Sequence, residues 1–237
     1  MSGMKGTNEA AVDRFVGYFA DQLQRIESIE SHHYRKTLFV AVIDTLSRAA
    51  IPQLKDKNRD RFLGFVDGWG DWPERGRVSL PQLIGNLERE KVFAKGRLGK
   101  EVSQRLGVWQ DGRIYHAADD PAKEELLECA ADERERQLVE RHTHLSLLWV
   151  YRNVLVHEFR EPGYDMGVLG DDPDPYYMMH GEEGASRWEL AYPTTFFAAL
   201  AMRALANLKK HLEANDLDPY AFYEFGSIWK QIGLTRP

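Results

Sequence analysis

Apolar residues recur every three or four positions through most of this chain, which is the spacing of one buried face of an α-helix. The pattern is clearest over residues 9–30, 34–50 and 58–69, and Pro52 ends the second of these segments. The remaining helices predicted from the same spacing are 80–93, 97–107, 121–160 as one long helix or two in line, 193–212 and 218–231. Successive amphipathic helices of this kind predict an all-α helical bundle.

Two segments break the helical period. Residues 109–116 contain an Asp-Gly pair between apolar residues, which predicts a tight hairpin or loop. Residues 163–186 are rich in Gly, Asp and Pro, and the stretches 176–179 and 188–192 are predicted to pair as two short strands. We therefore expect an all-α fold with a small β-hairpin insertion near 176–192.

The chain has 237 residues, which we interpret as a single domain with an N-terminal helical part over about 9–116 and a second part over about 121–231. Its single cysteine, Cys129, excludes an internal disulfide framework and is typical of a reducing cytosol. We expect a cytoplasmic protein, because the polar N-terminus lacks the apolar core of a signal peptide and no apolar stretch is long enough to span a membrane. The net charge of −6 argues against broad coating of nucleic acid but leaves room for a local basic site.

An arginine interrupts the apolar face of the helix predicted over 121–160. Arg152 lies within a stripe of apolar residues at helical spacing. The stripe consists of Leu145, Leu148, Trp149, Leu155, Val156 and Phe159. A buried guanidinium is costly unless an acid pairs with it, and Asp44 on the second predicted helix is the candidate partner. Asn153 and His157 are four positions apart and therefore share the neighbouring face.

These residue types suit the cleavage of RNA through its own 2′-hydroxyl. That reaction needs a base for the 2′-proton, an acid for the leaving 5′-oxygen and a cation for the charge on the phosphoryl oxygens. A histidine, whose pKa is ordinarily about 6.5, can serve as base or acid, and an arginine grips a phosphate with two parallel hydrogen bonds. Asn153 would orient the imidazole of His157 or hold the phosphate. One motif supplies only one histidine for two proton transfers, so we expect a two-fold homodimer that brings two copies of this face together.

The sequence of residues 151–163, YRNVLVHEFREPG, resembles the R-x4–6-H motif of HEPN (higher eukaryotes and prokaryotes nucleotide-binding) domains. The family favours Asn, Asp or His directly after the arginine, and Asn153 meets that preference. Two looser matches, which end at His32 and His142, lack such a neighbour. The resemblance is strongest over residues 136–161.

This resemblance implies a helical bundle of HEPN type, here with extra N-terminal helices. Many HEPN proteins are metal-independent endoribonucleases that act as toxins, phage-defence effectors or RNase modules of CRISPR effectors. By that resemblance Arg152, Asn153 and His157 are the expected catalytic residues, RNA is the substrate, and no metal or cofactor is needed. An antitoxin or defence complex is the expected partner. Some HEPN toxins carry a tyrosine two positions after the histidine that a nucleotidyltransferase modifies, but Phe159 stands there in this chain, which excludes adenylylation at that site.

Further RNA contacts are predicted in a basic segment and just after the motif. The candidate cations are Lys91, Lys95, Arg97, Lys100, Arg105 and Arg160. They suit RNA phosphates, although a solvated helix face explains the same charges. The aromatic residues near the predicted hairpin would either stack bases or cover an edge of the core. These residues are Tyr176, Tyr177, Trp188 and Tyr192.

Two other interpretations remain open at the level of sequence. One is a non-catalytic HEPN module that binds a nucleotide or assembles a partner complex. The other is a structural helical adaptor in which Arg152 forms only an ion pair. A metal site at His142 and His144 is disfavoured, because residues two apart on a helix point about 200° away from each other.

Overall fold

The computed structural model describes residues 7–54, 57–90, 96–163, 172–181 and 187–221. The helices in these ranges are α1 (Glu9–Glu27), α2 (His32–Ala50), α3 (Asn58–Trp69), α4 (Leu80–Arg89), α5 (Arg97–Leu106), α6 (Lys123–Leu127), α7 (Glu133–Arg141), α8 (His144–His157) and α9 (Thr194–Ala214). The strands are β1 (Tyr115–His116), β2 (Tyr176–His180) and β3 (Arg187–Ala191). The predicted all-α fold with a small hairpin is therefore confirmed. The predicted last helix, 218–231, falls mostly outside the described residues. Its described part, 218–221, contains a short 3₁₀ turn at Pro219–Ala221.

The sheet has three antiparallel strands in the order β1-β2-β3. Tyr177 at its centre pairs with Tyr115 on one side and with Leu190 on the other. The hairpin of β2 and β3 agrees with the sequence prediction. The third strand, β1, follows a turn in which Gly112 adopts a left-handed backbone with φ of 78°, so the segment predicted as a hairpin or loop also adds an edge to the sheet.

The prediction of one long helix or two in line over 121–160 is wrong. The chain forms three helices there, because two side chains cap new helices inside the segment. Asp132 accepts a hydrogen bond from the Glu135 amide at 2.8 Å, and Thr143 accepts one from the Ser146 amide at 3.3 Å. Thr143 also pairs with Val78 in an isolated antiparallel bridge, so this break is tied to a distant part of the chain that the local pattern cannot reveal.

Among the residues that the structure describes, two clusters of buried apolar side chains form the core. The larger one joins α1, α2, α3, α8 and α9, and the smaller one joins α4, α5, α6 and α7. Because α9 packs on α1 and α2, helices from both of the predicted parts share the larger core. The helix that carries the motif, α8, contacts α2 and α3. No helix in the described part of the chain is both long and apolar enough to cross a membrane.

A buried polar network fixes the first residue of α8. The Asp120 carboxylate lies 2.7 Å from His144 Nε2, and it accepts hydrogen bonds from the Tyr177 hydroxyl and the Leu80 amide. The Tyr192 hydroxyl donates to the His144 carbonyl at 3.2 Å. Burial, together with the nearby Asp120 carboxylate, raises the pKa of Tyr177 well above its usual value. The network therefore joins the start of α8 to the small sheet with groups that water does not reach.

Candidate functional site

The buried face of α8 differs from the stripe that the sequence predicted. Leu148, Tyr151 and Leu155 are buried, and they follow the i, i+3, i+7 order of one helix face. Val156 is 37% exposed and Phe159 is 58% exposed, so the predicted stripe is wrong at its C-terminal end. Val156 lies about 100° around the helix from the buried Leu155, and Phe159 lies beyond the last helical residue, His157.

Arg152 lies at the edge of that buried face and joins the other motif residues. Its Nη2 lies 2.7 Å from Asp44 Oδ2, which is the ion pair that the sequence suggested. Its Nη1 donates to Asn153 Oδ1 at 3.1 Å and lies 3.2 Å from His157 Nε2. The Arg152 side chain is only 11% exposed. The structure therefore brings Arg152, Asn153, His157 and Asp44 together around one guanidinium.

The contact between Arg152 and His157 restricts the protonation state of the imidazole. A guanidinium has donors but no acceptor, so this contact is a hydrogen bond only when Nε2 of His157 carries no proton. The neutral ring then carries its proton on Nδ1. An unprotonated Nε2 has a lone pair that can take a proton once Arg152 turns its Nη1 to another acceptor.

Asp44 is held from a second side by an arginine that sequence analysis missed. Arg61 Nη2 on α3 lies 3.4 Å from Asp44 Oδ1, and Arg61 Nε donates to Ser47 Oγ at 3.0 Å. Arg61 is 1% exposed. The signal in the sequence is its position one helical turn before the buried Phe65, where a charge requires an acid. Arg61 therefore fixes the carboxylate that fixes Arg152.

The guanidinium of Arg152 also packs on an aromatic ring. Its Cζ lies 5.1 Å from the centre of the Trp149 ring, and that ring contacts Phe62 with centroids 5.6 Å apart. Such a position stabilises a cation through the negative face of the ring. Within the described part of the chain, Arg152 Nε is buried and has no hydrogen-bond partner, and an unused buried donor costs about 1–3 kcal/mol. The Arg152 guanidinium is thus held by several contacts, but one of its hydrogen-bond donors, Nε, has no acceptor among the described residues.

The site is buried at one end and open at the other. Asp44 is 16% exposed and Arg61 is buried beneath it, whereas His157 is exposed at the C-terminal end of α8. Asn153 is half-buried between them. A ligand can therefore reach the imidazole and the outer edge of the guanidinium while Asp44 holds the arginine from within the protein.

Two other histidines, His142 directly after α7 and His144 at the start of α8, have structural surroundings. His142 is buried, its Nδ1 donates to the Leu138 carbonyl at 2.6 Å, and its Nε2 accepts from Asn86 at 2.6 Å. Burial lowers the pKa of His142. His144 faces Asp120 instead, so the two histidines belong to different networks. Across the described ranges, no three or more His, Cys, Asp and Glu side chains come together as a metal site would require.

The predicted RNA-binding cations that the structure describes lie on α5 and just after α8, which are separate elements. Lys91 and Lys95 lie outside the described residues. On α5, which packs against α4, Arg97 and Lys100 are exposed. Two others have acidic partners. Arg105 pairs with Glu101 at 2.7 Å and with Glu125 at 2.9 Å, and Arg160 pairs with Glu158 at 2.6 Å.

The suggestion that the aromatic residues of the hairpin stack bases is wrong for three of them. Tyr176 and Tyr177 are 0% exposed and Tyr192 is 1% exposed, because they form part of the buried core. Trp188 is half-buried and packs edge-on against Trp109, with ring centroids 5.3 Å apart. These residues cover an edge of the core, which is the alternative that the sequence also allowed.

No family model, no curated protein and no solved structure matches this chain. The function is therefore inferred from the geometry of the site and from the motif it carries.

Proposed function

We propose that this protein is a metal-independent endoribonuclease of HEPN type that acts in the cytosol and cleaves RNA through the 2′-hydroxyl. One observation carries the proposal. A single arginine, anchored by Asp44 at 2.7 Å, holds an exposed histidine at 3.2 Å. That pair provides a phosphate-binding cation and a proton-transfer group within one helical turn and a half.

In this mechanism Arg152 binds the scissile phosphate. The hydrogen bond from Nη2 to Asp44 is retained, while Nη1 turns from Asn153 and His157 and donates to a phosphoryl oxygen. The guanidinium then faces the charge that gathers on the phosphoryl oxygens as the 2′-oxygen attacks. Arg61 and Asp44 act as positioning residues, since they hold Arg152 and do not themselves reach the phosphate.

His157 moves the protons. Once Nη1 leaves it, Nε2 takes the proton of the 2′-hydroxyl, and the 2′-oxygen bonds to phosphorus while the bond from phosphorus to the 5′-oxygen breaks. The leaving 5′-oxygen takes a proton from a second, protonated imidazole, which the His157 of another copy of the chain would supply. Asn153, whose amide oxygen already accepts from Arg152, orients the bound phosphate or the imidazole.

Two proton transfers and one imidazole per chain support a dimer. We expect a homodimer whose interface includes the exposed C-terminal end of α8, because a two-fold contact there would bring a second His157 to the same phosphate. Light scattering at tens of micromolar tests this expectation. A monomer that retains full RNA cleavage would contradict the shared site.

The direct test of the proposed function is incubation of the purified protein with total RNA in EDTA. We expect fragments, because the arginine provides the cation that other nucleases take from a metal ion. The Arg152→Ala variant of the same preparation is the control against contaminating RNases. Intact RNA in the presence of folded protein would overturn the proposal.

The second candidate function is a non-catalytic module that binds a nucleotide or assembles a partner complex. It is favoured by the fact that both Nη atoms of Arg152 are already engaged by Asp44, Asn153 and His157. The same assay separates the two functions, since such a module would leave RNA uncut. The HEPN resemblance extends the first proposal to a role as a toxin or phage-defence effector, with an antitoxin or defence complex as its partner.

A further inference from the structure

Two exposed aromatic side chains lie side by side just beyond the motif. Phe159 is 58% exposed and Tyr34 is 52% exposed, and their ring centroids are 5.9 Å apart. The ring of His33 contacts Phe159 edge-on at 4.5 Å. We call Tyr34, Phe159 and His33 the aromatic patch. Large aromatic side chains that remain exposed together mark a binding surface more often than single ones do.

The backbone holds Phe159 outward at a conformational cost. Its φ is 54°, in the left-handed region that bulky residues avoid. The residue follows the end of α8, where a glycine would adopt this conformation without strain. Strained backbone of this kind is concentrated at functional sites. The Phe159 ring contacts His33 and Tyr34, yet the residue remains 58% exposed, so a strained backbone here holds a ring that is largely open to a ligand.

The patch continues directly from the candidate site. Phe159 stands two residues after His157, so their Cα atoms are at most about 7 Å apart. A ligand whose phosphate lies on Arg152 and His157 therefore extends over the patch within one nucleotide unit. On the other helix Tyr34 belongs to the first turn of α2, the helix that also carries Asp44.

The charges around the patch suit a polyanion. Arg35 follows Tyr34, and its Nη2 contacts His32 at 3.0 Å rather than a carboxylate. Both acidic side chains on the adjoining segment are already paired. Glu161 lies 2.6 Å from Lys36 Nζ, and Glu158 lies 2.6 Å from Arg160. Among the described residues, no carboxylate lies within ion-pair distance of Arg35, so its guanidinium can exchange the His32 ring for a phosphate.

We infer that the aromatic patch stacks an unpaired base of single-stranded RNA next to the phosphate held by Arg152. This inference rests on the proposed ribonuclease function and adds a preference for unpaired substrate. Single-stranded bases stack on aromatic side chains, whereas the bases of a duplex are covered by their neighbours.

The test measures binding of a labelled single-stranded oligoribonucleotide to the inert His157→Ala protein by fluorescence anisotropy. Adding Phe159→Gly removes the ring and relieves the left-handed backbone, so the fold is retained. We expect the dissociation constant to rise about 5- to 100-fold. Phe159→Trp, which keeps a ring, should bind as the parent does. Tyr18→Ala is the matched control, because Tyr18 is an aromatic residue on α1 that is 42% exposed.

A second arm locates the stacked base. Abasic nucleotides are placed one at a time along the oligonucleotide, and at the stacked position the penalty of Phe159→Gly should disappear. If the parent and Phe159→Gly bind the intact strand with equal affinity, the patch does not stack a base, but the proposed ribonuclease function is unaffected. Loss of the dimer in Phe159→Gly, with unchanged affinity per protomer, would instead show that the patch is a subunit interface. Absence of both binding and cleavage in every variant would overturn the proposed function itself.

Discussion

The His157→Ala variant is expected to cleave RNA about 10²–10⁴-fold more slowly than the parent while folding normally, because it lacks the group that moves the protons. His157 is exposed and its contact in the structure is with Arg152 at 3.2 Å. Its loss should therefore lower the free energy of unfolding by less than about 1 kcal/mol. Initial rates on labelled RNA and thermal melts measure the two effects separately.

The matched control is His180→Ala. His180 is also an exposed histidine, but it lies at the end of β2 and away from α8 in the sequence. It should cleave at the parental rate. A His157→Ala protein that keeps full activity would show that the proposed chemistry is wrong, whatever the control does.

Arg152→Ala is expected to abolish cleavage as well, but with a larger effect on stability. The substitution removes the 2.7 Å ion pair to Asp44 and leaves that carboxylate to Arg61 alone. We expect a loss of about 1–3 kcal/mol in the free energy of unfolding. Arg152→Lys keeps the charge but lacks the two Nη atoms that would hold Asp44 and a phosphate at the same time. Relative to Arg152→Ala, it should therefore regain more of the stability than of the activity.

The ends of the cut RNA are expected to identify the nucleophile. If the 2′-hydroxyl attacks, the 5′-side fragment ends in a 2′,3′-cyclic phosphate and the other fragment begins with a free 5′-hydroxyl. DNA, and RNA carrying a 2′-O-methyl group at the cleaved position, should stay intact because they lack that nucleophile. Mass spectrometry of the fragments reads both ends directly.

Different ends would contradict this mechanism. Fragments with 3′-hydroxyl and 5′-phosphate ends require water as the nucleophile in place of the 2′-hydroxyl. Cleavage that stops in EDTA and returns with magnesium would point the same way. Either result would leave Arg152 as a structural residue of α8.

The sequence could predict the pairing of Arg152 with Asp44 because burial of a charge makes a definite demand. A guanidinium on an apolar face needs an acid, and the apolar spacing of α2 placed Asp44 on a buried side. The helices α1, α2, α3 and α9 were predictable for a different reason, because each buries one continuous apolar face.

What the sequence could not predict depends on contacts between distant segments. The break before α8 is stabilised by Val78, which pairs with Thr143. The buried Asp120 carboxylate forms hydrogen bonds with His144 and Tyr177, which lie 24 and 57 positions away in the sequence. Local spacing does not contain this information. Arg61 differs, because its position one helical turn before Phe65 is a signal, but the polar residues beside it on α3 make an exposed arginine an equally good interpretation.

The distance along the chain between Asp44 and Arg152 has a consequence for synthesis in the cell. The two residues are 108 positions apart, and the carboxylate is made first. At about 5–20 residues per second, the ribosome adds the arginine roughly 5–20 s later. Until α8 has emerged and docked on α2 and α3, Asp44 has Arg61 as a partner but lacks Arg152, so neither the cation nor the histidine of the motif is in place. Under the proposed function, a ribosome making this nuclease is therefore exposed to it only after α8 has left the exit tunnel.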